Sequence, residues 1–234
     1  MGAVKTKRMP RAVREQQMLD AAVQIFGQRG YMAASMDEIA ELAGVSKPLV
    51  YLYLNSKEDL FTACIRREAT ALTQAVRAGV RPGLPADRQL WEGLLAFFTH
   101  TAQHPDGWTV LHLQARTHGE PFAAEIAAMR TELVAFVTQL IAVAARDGGS
   151  RCSSEAESSR GRRDHDLPEH EVAGLAEALV GAAESLAAWA NATPGVTARQ
   201  AAATLMNFAW AGLGDLMEGR PWSLPHPCEP EPES

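Results

Sequence analysis

Cysteine is scarce in this chain, and its few cysteines are not spaced to bind a metal or to pair. The three, Cys64, Cys152 and Cys228, lie far apart and are odd in number. They match neither the close spacing of a metal site nor the even set of a disulfide framework. A protein without disulfides suits a reducing compartment, so we expect this chain to reside in the cytoplasm.

Motifs for catalysis, cofactor binding and membrane insertion are also missing from the sequence. It contains no HExxH, GxSxG or CxxC motif and no Gly-rich phosphate loop. The longest apolar tract, residues 133–145, is too short to span a bilayer and is interrupted by Thr138 and Gln139. The N-terminus lacks the apolar segment of a signal peptide. We therefore expect no enzymatic activity, no cofactor, no bound metal and no membrane partner.

Acidic residues exceed basic ones overall, but the excess is not spread evenly. The net charge is −6, which alone would argue against a nucleic-acid partner. Through Arg67 there are ten Lys and Arg against seven Asp and Glu, whereas the remainder has twelve against twenty-one. A basic N-terminal third on an acidic body is the pattern expected when one end of a protein docks on phosphate.

Two short helices joined by a tight turn are predicted in residues 35–54. The first covers about 36–43, with Ser35 as its N-cap and Glu38 completing a capping box three residues later. Gly44 supplies the backbone freedom that a sharp helix end needs. Two helices joined in this way form a helix-turn-helix, whose second helix enters the DNA major groove.

The second helix of this motif is expected to begin after Ser46, which we predict as its cap. Pro48 falls in the first turn, where its missing N–H leaves no partner unsatisfied. Leu49 and Leu52 are expected to face inward. The residues predicted to lie around the rest of this helix are Lys47, Val50, Tyr51 and Tyr53.

The sequence around this motif closely resembles the DNA-binding domain of the tetracycline-repressor (TetR) family. The resemblance covers roughly residues 10–70, with Pro48 where the family often has Gly and Leu54 where it usually has Phe. It rests on Phe26, Gly30-Tyr31, Ile39-Ala40, Ala43-Gly44-Val45-Ser46, Tyr51, Tyr53, Ser56-Lys57 and Leu60-Phe61. It implies an all-α protein of about nine helices, with an N-terminal three-helix domain that contains the helix-turn-helix and a C-terminal helical domain for ligand binding and dimerisation.

Composition divides the chain into segments that fit this plan. We predict a basic tail at 1–10, a helix-turn-helix DNA-binding domain at 11–67 and a helical effector-binding and dimerisation domain at 68–222. Residues 147–167 are rich in Ser, Gly and charge and are expected to form a disordered insertion, and 223–234 a disordered tail. The basic tail is either a solvated end or an arm that follows DNA phosphate or a minor groove. The helices expected after the motif cover 56–78, 86–103, 108–117, 121–146, 168–192 and 197–218.

The bases are expected to be read by the exposed side of the second helix. Lys47 and Tyr51 are predicted on that side, and Pro48 and Val50 close enough to touch base edges or thymine methyl groups. The helix has no Arg, Asn or Gln for bidentate base contacts. Sequence reading is therefore expected to depend on apolar contacts, Lys47 and DNA shape.

The phosphates are expected to be held by groups at the edges of the motif. Ser35, at a helix N-terminus, offers a hydroxyl and backbone N–H groups, and the resemblance implies that Tyr53 and Lys57 grip phosphate. The complete predicted set is Ser35, Ser46, Lys47, Pro48, Val50, Tyr51, Tyr53 and Lys57. The alternatives are that the two tyrosines are ordinary core aromatics and that Lys47 is merely solvated.

Large side chains interspersed with a few polar ones suggest a ligand pocket in the middle helices. The candidates are Trp91, Phe98, Trp108, His112, Phe122, Met129 and Phe136. Pockets for apolar molecules have this mixture of bulk and sparse polar anchors. Plain core packing is the alternative for each of them.

The last two helices are expected to carry a dimer interface. The first has a heptad seam through Leu175, Leu179, Leu186 and Trp189, and the second carries apolar residues on two sides, represented by Leu205 and by Met206, Trp210, Leu213 and Met217. A helix that is apolar on two sides must be covered on both. This favours a homodimer through a four-helix bundle, although both helices could instead be internal to one large core.

These observations predict a homodimeric transcriptional repressor that binds a palindromic double-stranded operator and is released by a small apolar effector. One alternative is a small-molecule-binding or metal-dependent enzyme with a vestigial DNA domain, for which His100 and His104 could supply two metal ligands. Another is a scaffold that dimerises and binds DNA without any effector.

Overall fold

The computed structural model describes residues 10–151 and 168–217, with side chains described through residue 143 and from 168 to 210. Within these ranges every regular element is a helix. The prediction of an all-α protein is confirmed for this part of the chain. The predicted basic tail, apart from Pro10, most of the insertion and the C-terminal tail lie outside the described residues.

Nine helices make up the described structure, the number expected from the sequence. The N-terminal domain contains α1 (Arg11–Arg29), α2 (Met36–Leu42) and α3 (Lys47–Leu54), and α4 (Lys57–Gly79) leads from it into the C-terminal domain. That domain contains α5 (Ala86–Gln103), α6 (Pro105–Thr109, the π-helical segment Val110–Gln114 and Ala115–Thr117), α7 (Phe122–Arg151), α8 (Glu169–Ala192) and α9 (Ala198–Met217).

Two helix ends differ from those expected. Helix α6 begins at Pro105, before the expected residue 108, because proline is well tolerated in the first turn of a helix. Helix α7 continues to Arg151 and so includes the first five residues of the predicted insertion. The low apolar content of residues 147–151 therefore does not end α7, because each added residue extends a helix that has already formed.

The turn at the centre of the motif is built as its sequence predicts, with one exception. The Ser35 hydroxyl accepts a hydrogen bond from the Asp37 N–H at 3.1 Å, and the Ser35 N–H donates to Glu38 Oε2 at 3.3 Å. Gly44 has φ +65°, the left-handed conformation that favours glycine. Ser46 is the N-cap residue of α3 as predicted and its carbonyl accepts from the Leu49 N–H at 2.9 Å, but its hydroxyl makes no cap hydrogen bond.

The core of the N-terminal domain forms where α1, α2, α3 and the first half of α4 meet. The rings of Phe26 and Phe61 contact edge to face at 4.8 Å. The buried residues that surround them include Met18, Leu19, Ala22, Ile39, Val50, Leu60 and Cys64. Burial raises the pKa of the Cys64 thiol, so this cysteine stays protonated and serves as a small apolar side chain.

The C-terminal domain is a helical bundle in which α5 packs against α4 and α9, and α7 packs against α4 and α8. Its buried side chains include Leu94, Phe97, Phe98, Val110, Met129 and Leu133. The segments Phe122–Val143 and Glu169–Ala192 are long and apolar enough to cross a membrane by length and composition alone. In the structure these two helices pack against each other, and core helices of water-soluble proteins commonly have the same length and composition.

The two domains meet along a junction between α1 and α6 that holds the motif in a fixed direction. The Tyr31 N–H donates to Gln114 Oε1 at 3.2 Å, and the Tyr31 ring lies 5.1 Å from that of Phe122. A side chain at Gly27 would place its Cβ only 2.8 Å from the Asp106 Cα. Glycine at position 27 therefore allows α6 to approach α1 closely.

Candidate nucleic-acid interface and effector domain

Helix α3 presents a mixed apolar and cationic face to solvent. Lys47 and Pro48 are exposed at its start, and Tyr51 is 40% exposed one turn later. These positions agree with the expected exposed side of the helix. An exposed helix at the second position of a helix-turn-helix is the element that enters the major groove.

The structure contradicts the predicted roles of Val50 and Leu52. Val50 is completely buried and belongs to the core of the N-terminal domain, so it cannot contact bases, whereas Leu52 is 73% exposed instead of facing inward. Val50 and Leu54 are four residues apart and share the buried face, and Leu52 lies two positions from each, on the other side of the helix. The segment is apolar at almost every position, so its periodicity could not identify the inward face.

Lys47 is paired with an acidic side chain of the preceding helix. Its Nζ lies 3.0 Å from Asp37 Oδ2, and this hydrogen bond raises the pKa of Lys47. Both side chains remain well exposed. The lysine therefore stays cationic, and the carboxylate partly neutralises the charge that a base or phosphate would meet.

Tyr53, near the end of α3, contacts the first residue of α1. The Arg11 guanidinium lies 5.0 Å from the centre of the Tyr53 ring, in a cation–π contact. This contact places the beginning of α1, and hence the root of the predicted basic arm, beside α3. The phosphate role of Tyr53 stays a prediction.

Lys57 and Ser35 are both engaged in holding the loop before α2. Lys57 Nζ donates to the Met32 carbonyl at 3.2 Å and lies 4.9 Å from the centre of the Tyr31 ring. Partial burial lowers the pKa of Lys57. The Ser35 hydroxyl is occupied by the capping hydrogen bond. Phosphate binding by either residue stays a prediction, and the structure adds a local structural role for each.

Six of the seven predicted pocket residues lie in or against one hydrophobic core, but at different places in it. Phe122 packs against Tyr31 and Phe61 and so belongs to the domain junction instead of a pocket. Trp91 and Phe136 are partly buried, and each carries a guanidinium over its ring, from Arg199 at 5.4 Å and Arg77 at 5.2 Å. Phe98 and Met129 are buried in the bundle core.

The other two pocket candidates lie side by side on α6. The rings of Trp108 and His112 are stacked, 4.9 Å apart and inclined by 13°. Burial, and next the charge of Arg116, lower the pKa of His112, so the imidazole is neutral at pH 7. The sequence reading missed Thr73, a buried residue on α4 whose hydroxyl has no partner among the described residues. Its burial depends on packing between helices distant in sequence.

The pair of histidines on α5 does not extend to a metal site in the described part of the chain. The rings of His100 and His104 lie 4.5 Å apart, but no group of three or more His, Cys, Asp or Glu side chains that could hold a metal ion is found among the residues described. Burial lowers the pKa of His100, and the neighbouring His104 adds to this shift.

Residues of the proposed dimer surface divide into buried and exposed sets. Leu179 and Leu205 are buried in the core of their own chain, which contradicts their assignment to an interface, while Trp189 is 52% exposed. Phe208, on the same helix as Leu205, is 77% exposed. Leu175, Leu186, Met206 and Trp210 are partly buried, and the side chains of Leu213 and Met217 lie outside those described.

Comparisons with known proteins identify the family. Residues 18–64 match the family described as bacterial regulatory proteins, tetR family. The transcriptional activator FasR of Mycolicibacterium smegmatis is 29% identical over 213 residues, which cover 91% of this chain and 88% of FasR. The crystal structure of a TetR-like transcriptional regulator from Rhodococcus sp. RHA1 is 35% identical, with a TM-score of 0.70 over 88% of this chain and 99% of that one.

A more distant structure, the regulator FadR of Bacillus subtilis in complex with stearoyl-CoA, is 17% identical and has a TM-score of 0.59 over 83% of this chain and 96% of its own. That likeness shows the fold. The similarity to the Rhodococcus regulator, which extends over 88% of this chain, establishes the family, and the exposed α3 helix agrees with it. The chain belongs to the TetR family and is a helix-turn-helix, DNA-binding transcriptional regulator.

Proposed function

We propose that the protein is a homodimeric repressor that holds its operator with two copies of α3 and releases it when a small apolar effector binds. The observation that carries the proposal is the face of α3 on which Lys47, Pro48, Tyr51 and Leu52 are exposed and can meet base edges. Ligand-responsive repression is typical of the family.

Exposed aromatic side chains on the last two helices support a dimer. Trp189 on α8 is 52% exposed and Phe208 on α9 is 77% exposed, and aromatic side chains are enriched at surfaces that bind a partner. A second copy supplies the same two helices, so a two-fold axis would form a four-helix bundle. The interface would place one recognition helix on each side of the axis, as a palindromic operator requires.

Helix α6 can link an effector to DNA because it reaches both domains. At one end it carries the stacked Trp108 and His112 inside the C-terminal domain, and further along it carries Gln114, which holds the Tyr31 N–H. An effector that binds one position of α6 better than another shifts the equilibrium between the two. The direction of α3 would change with it.

Binding to the DNA that flanks the protein's own gene tests the proposal. We expect footprinting to show a protected two-fold-symmetric site, and we expect Lys47→Ala to weaken binding at that site while the fold is retained. A reporter fused to the site should be more active when the protein is absent, as repression requires. A less active reporter would identify an activator, the role named for FasR, and attachment that is weak and blind to sequence would refute the regulatory proposal.

A further inference from the structure

Two deeply buried side chains of the C-terminal domain carry polar atoms that find no partner among the described residues. Trp108 is 7% exposed and Thr73 is 4% exposed. Neither Trp108 Nε1 nor Thr73 Oγ1 has a hydrogen-bond partner among the described residues. Buried polar atoms are nearly always hydrogen-bonded, so each exception calls for an explanation such as a bound molecule.

The ring that is stacked on Trp108 carries another polar atom of this kind. His112 Nδ1 is also buried without a partner in the described structure, and its ring is stacked on that of Trp108 at 4.9 Å. Phe97 packs edge-on against Trp108 at 5.7 Å and supplies an apolar wall. Two polar nitrogens on stacked rings next to an apolar wall have the composition of a ligand anchor.

The chemistry of these nitrogens limits what they can bind. The indole Nε1–H only donates, and neutral His112 can donate from Nδ1 in one tautomer. In that tautomer both nitrogens donate, and a carbonyl oxygen, which has two lone pairs, can accept from both. Arg116, whose charge acts on His112, is already paired with buried Glu184 at 2.8 Å. The anchor therefore suits a neutral group better than a carboxylate.

We propose that Trp108 and His112 bind the carbonyl oxygen of a neutral, otherwise apolar effector. This inference rests on the proposed effector-binding function of the same domain and defines the chemical class of the effector. Thr73, on a helix that packs against α6, is a further polar group available to such a molecule. His112 lies in the π-helical segment that also contains Gln114, so the anchor is close to the contact that holds the N-terminal domain.

Two probes that differ only in a carbonyl group test the anchor: 2-propionylnaphthalene and 2-propylnaphthalene. Binding of each to the full-length protein is measured by equilibrium dialysis. Trp108→Phe keeps an aromatic ring and removes the donor, so we expect it to weaken binding of the ketone about 3- to 10-fold, the range for one lost hydrogen bond. Binding of the hydrocarbon should change less than about twofold, because it makes no such bond.

Trp189→Phe is the matched control, since Trp189 is a half-exposed tryptophan on α8 and is not part of the anchor. It should leave the affinity for both probes within about twofold. If Trp108→Phe does not fold, as judged by circular dichroism, His112→Leu replaces it in the test. The same selective loss of ketone binding is then expected. Equal loss for both probes, no loss for the ketone, or no saturable binding of the ketone to the unmodified protein would overturn the anchor.

DNA binding separates this inference from the proposed function. A protein that binds its operator but shows no ketone-selective loss in Trp108→Phe remains a regulator without this anchor. A protein that shows the selective loss but does not recognise an operator has the anchor, and the regulatory proposal fails instead.

Discussion

The unpaired hydroxyl of Thr73 predicts that Thr73→Val makes the effector-free protein more stable. The residue lies in the middle of α4 and is 4% exposed, and its Oγ1 has no partner among the described residues. Valine has nearly the same shape and the same branched β-carbon, so it fills the site without a cavity and without a buried polar atom.

The size of the effect follows from the cost of an unsatisfied buried polar group, about 1–3 kcal/mol. We expect Thr73→Val to raise the free energy of unfolding by about 1 kcal/mol, the lower limit of that range. Thr101 is the matched control, because it is 1% exposed and its hydroxyl donates to the Phe98 carbonyl at 3.1 Å. Thr101→Val should lower the free energy of unfolding by about 1 kcal/mol, as expected for one lost hydrogen bond.

Urea unfolding followed by circular dichroism measures both variants. The protein concentration must be the same in every experiment, because the proposed dimerisation would contribute to apparent stability. The two variants should differ by about 2 kcal/mol and in opposite directions from the unmodified protein. Equal losses of stability in both would refute the reasoning, because they would show that the Thr73 hydroxyl has a partner such as an ordered water.

Three further predictions concern the DNA-binding domain. Val50→Ala should lower the free energy of unfolding by about 2 kcal/mol and Leu52→Ala by less than about 0.5 kcal/mol. Only Leu52→Ala should alter base preference in a competition assay. The reverse pattern would show that Val50, and not Leu52, contacts DNA. Asp37→Asn releases Lys47 from its carboxylate and should tighten binding to random DNA, seen in gel shifts at low salt; unchanged binding would argue that the pair is inert. Lys57→Ala should weaken binding about equally on all sequences and lower the salt slope by about one, whereas a loss at a single base pair would exclude a phosphate contact.

Local signals in the sequence were sufficient to predict the helix-turn-helix. A capping box, a glycine at the turn and a proline in a first turn each have a structural reason that depends only on neighbouring residues, and the structure contains the Ser35–Glu38 box and the left-handed Gly44 as expected. The charge difference between the two parts of the chain likewise needs no tertiary structure to be recognised.

Features that depend on packing between distant residues could not be predicted from the sequence. The inward face of α3 is set by contacts with α4 and the rest of the domain core, which is why Val50 and Leu52 were exchanged in the prediction. The contact between Tyr31 and Gln114 joins residues 83 positions apart. Leu205 resembled an interface residue because a helix that is apolar on two sides does not reveal which side its own domain covers.

Spacing of the half-sites tests the central claim most directly. The account holds that a symmetric pair of chains presents two α3 helices to successive major grooves on one side of the duplex. Inserting five base pairs, about half a helical turn, at the centre of the operator should greatly weaken binding, and sedimentation of the unmodified complex should give two chains for each palindrome. Binding that is unaffected by the insertion, or a complex with one chain per site, would contradict the account.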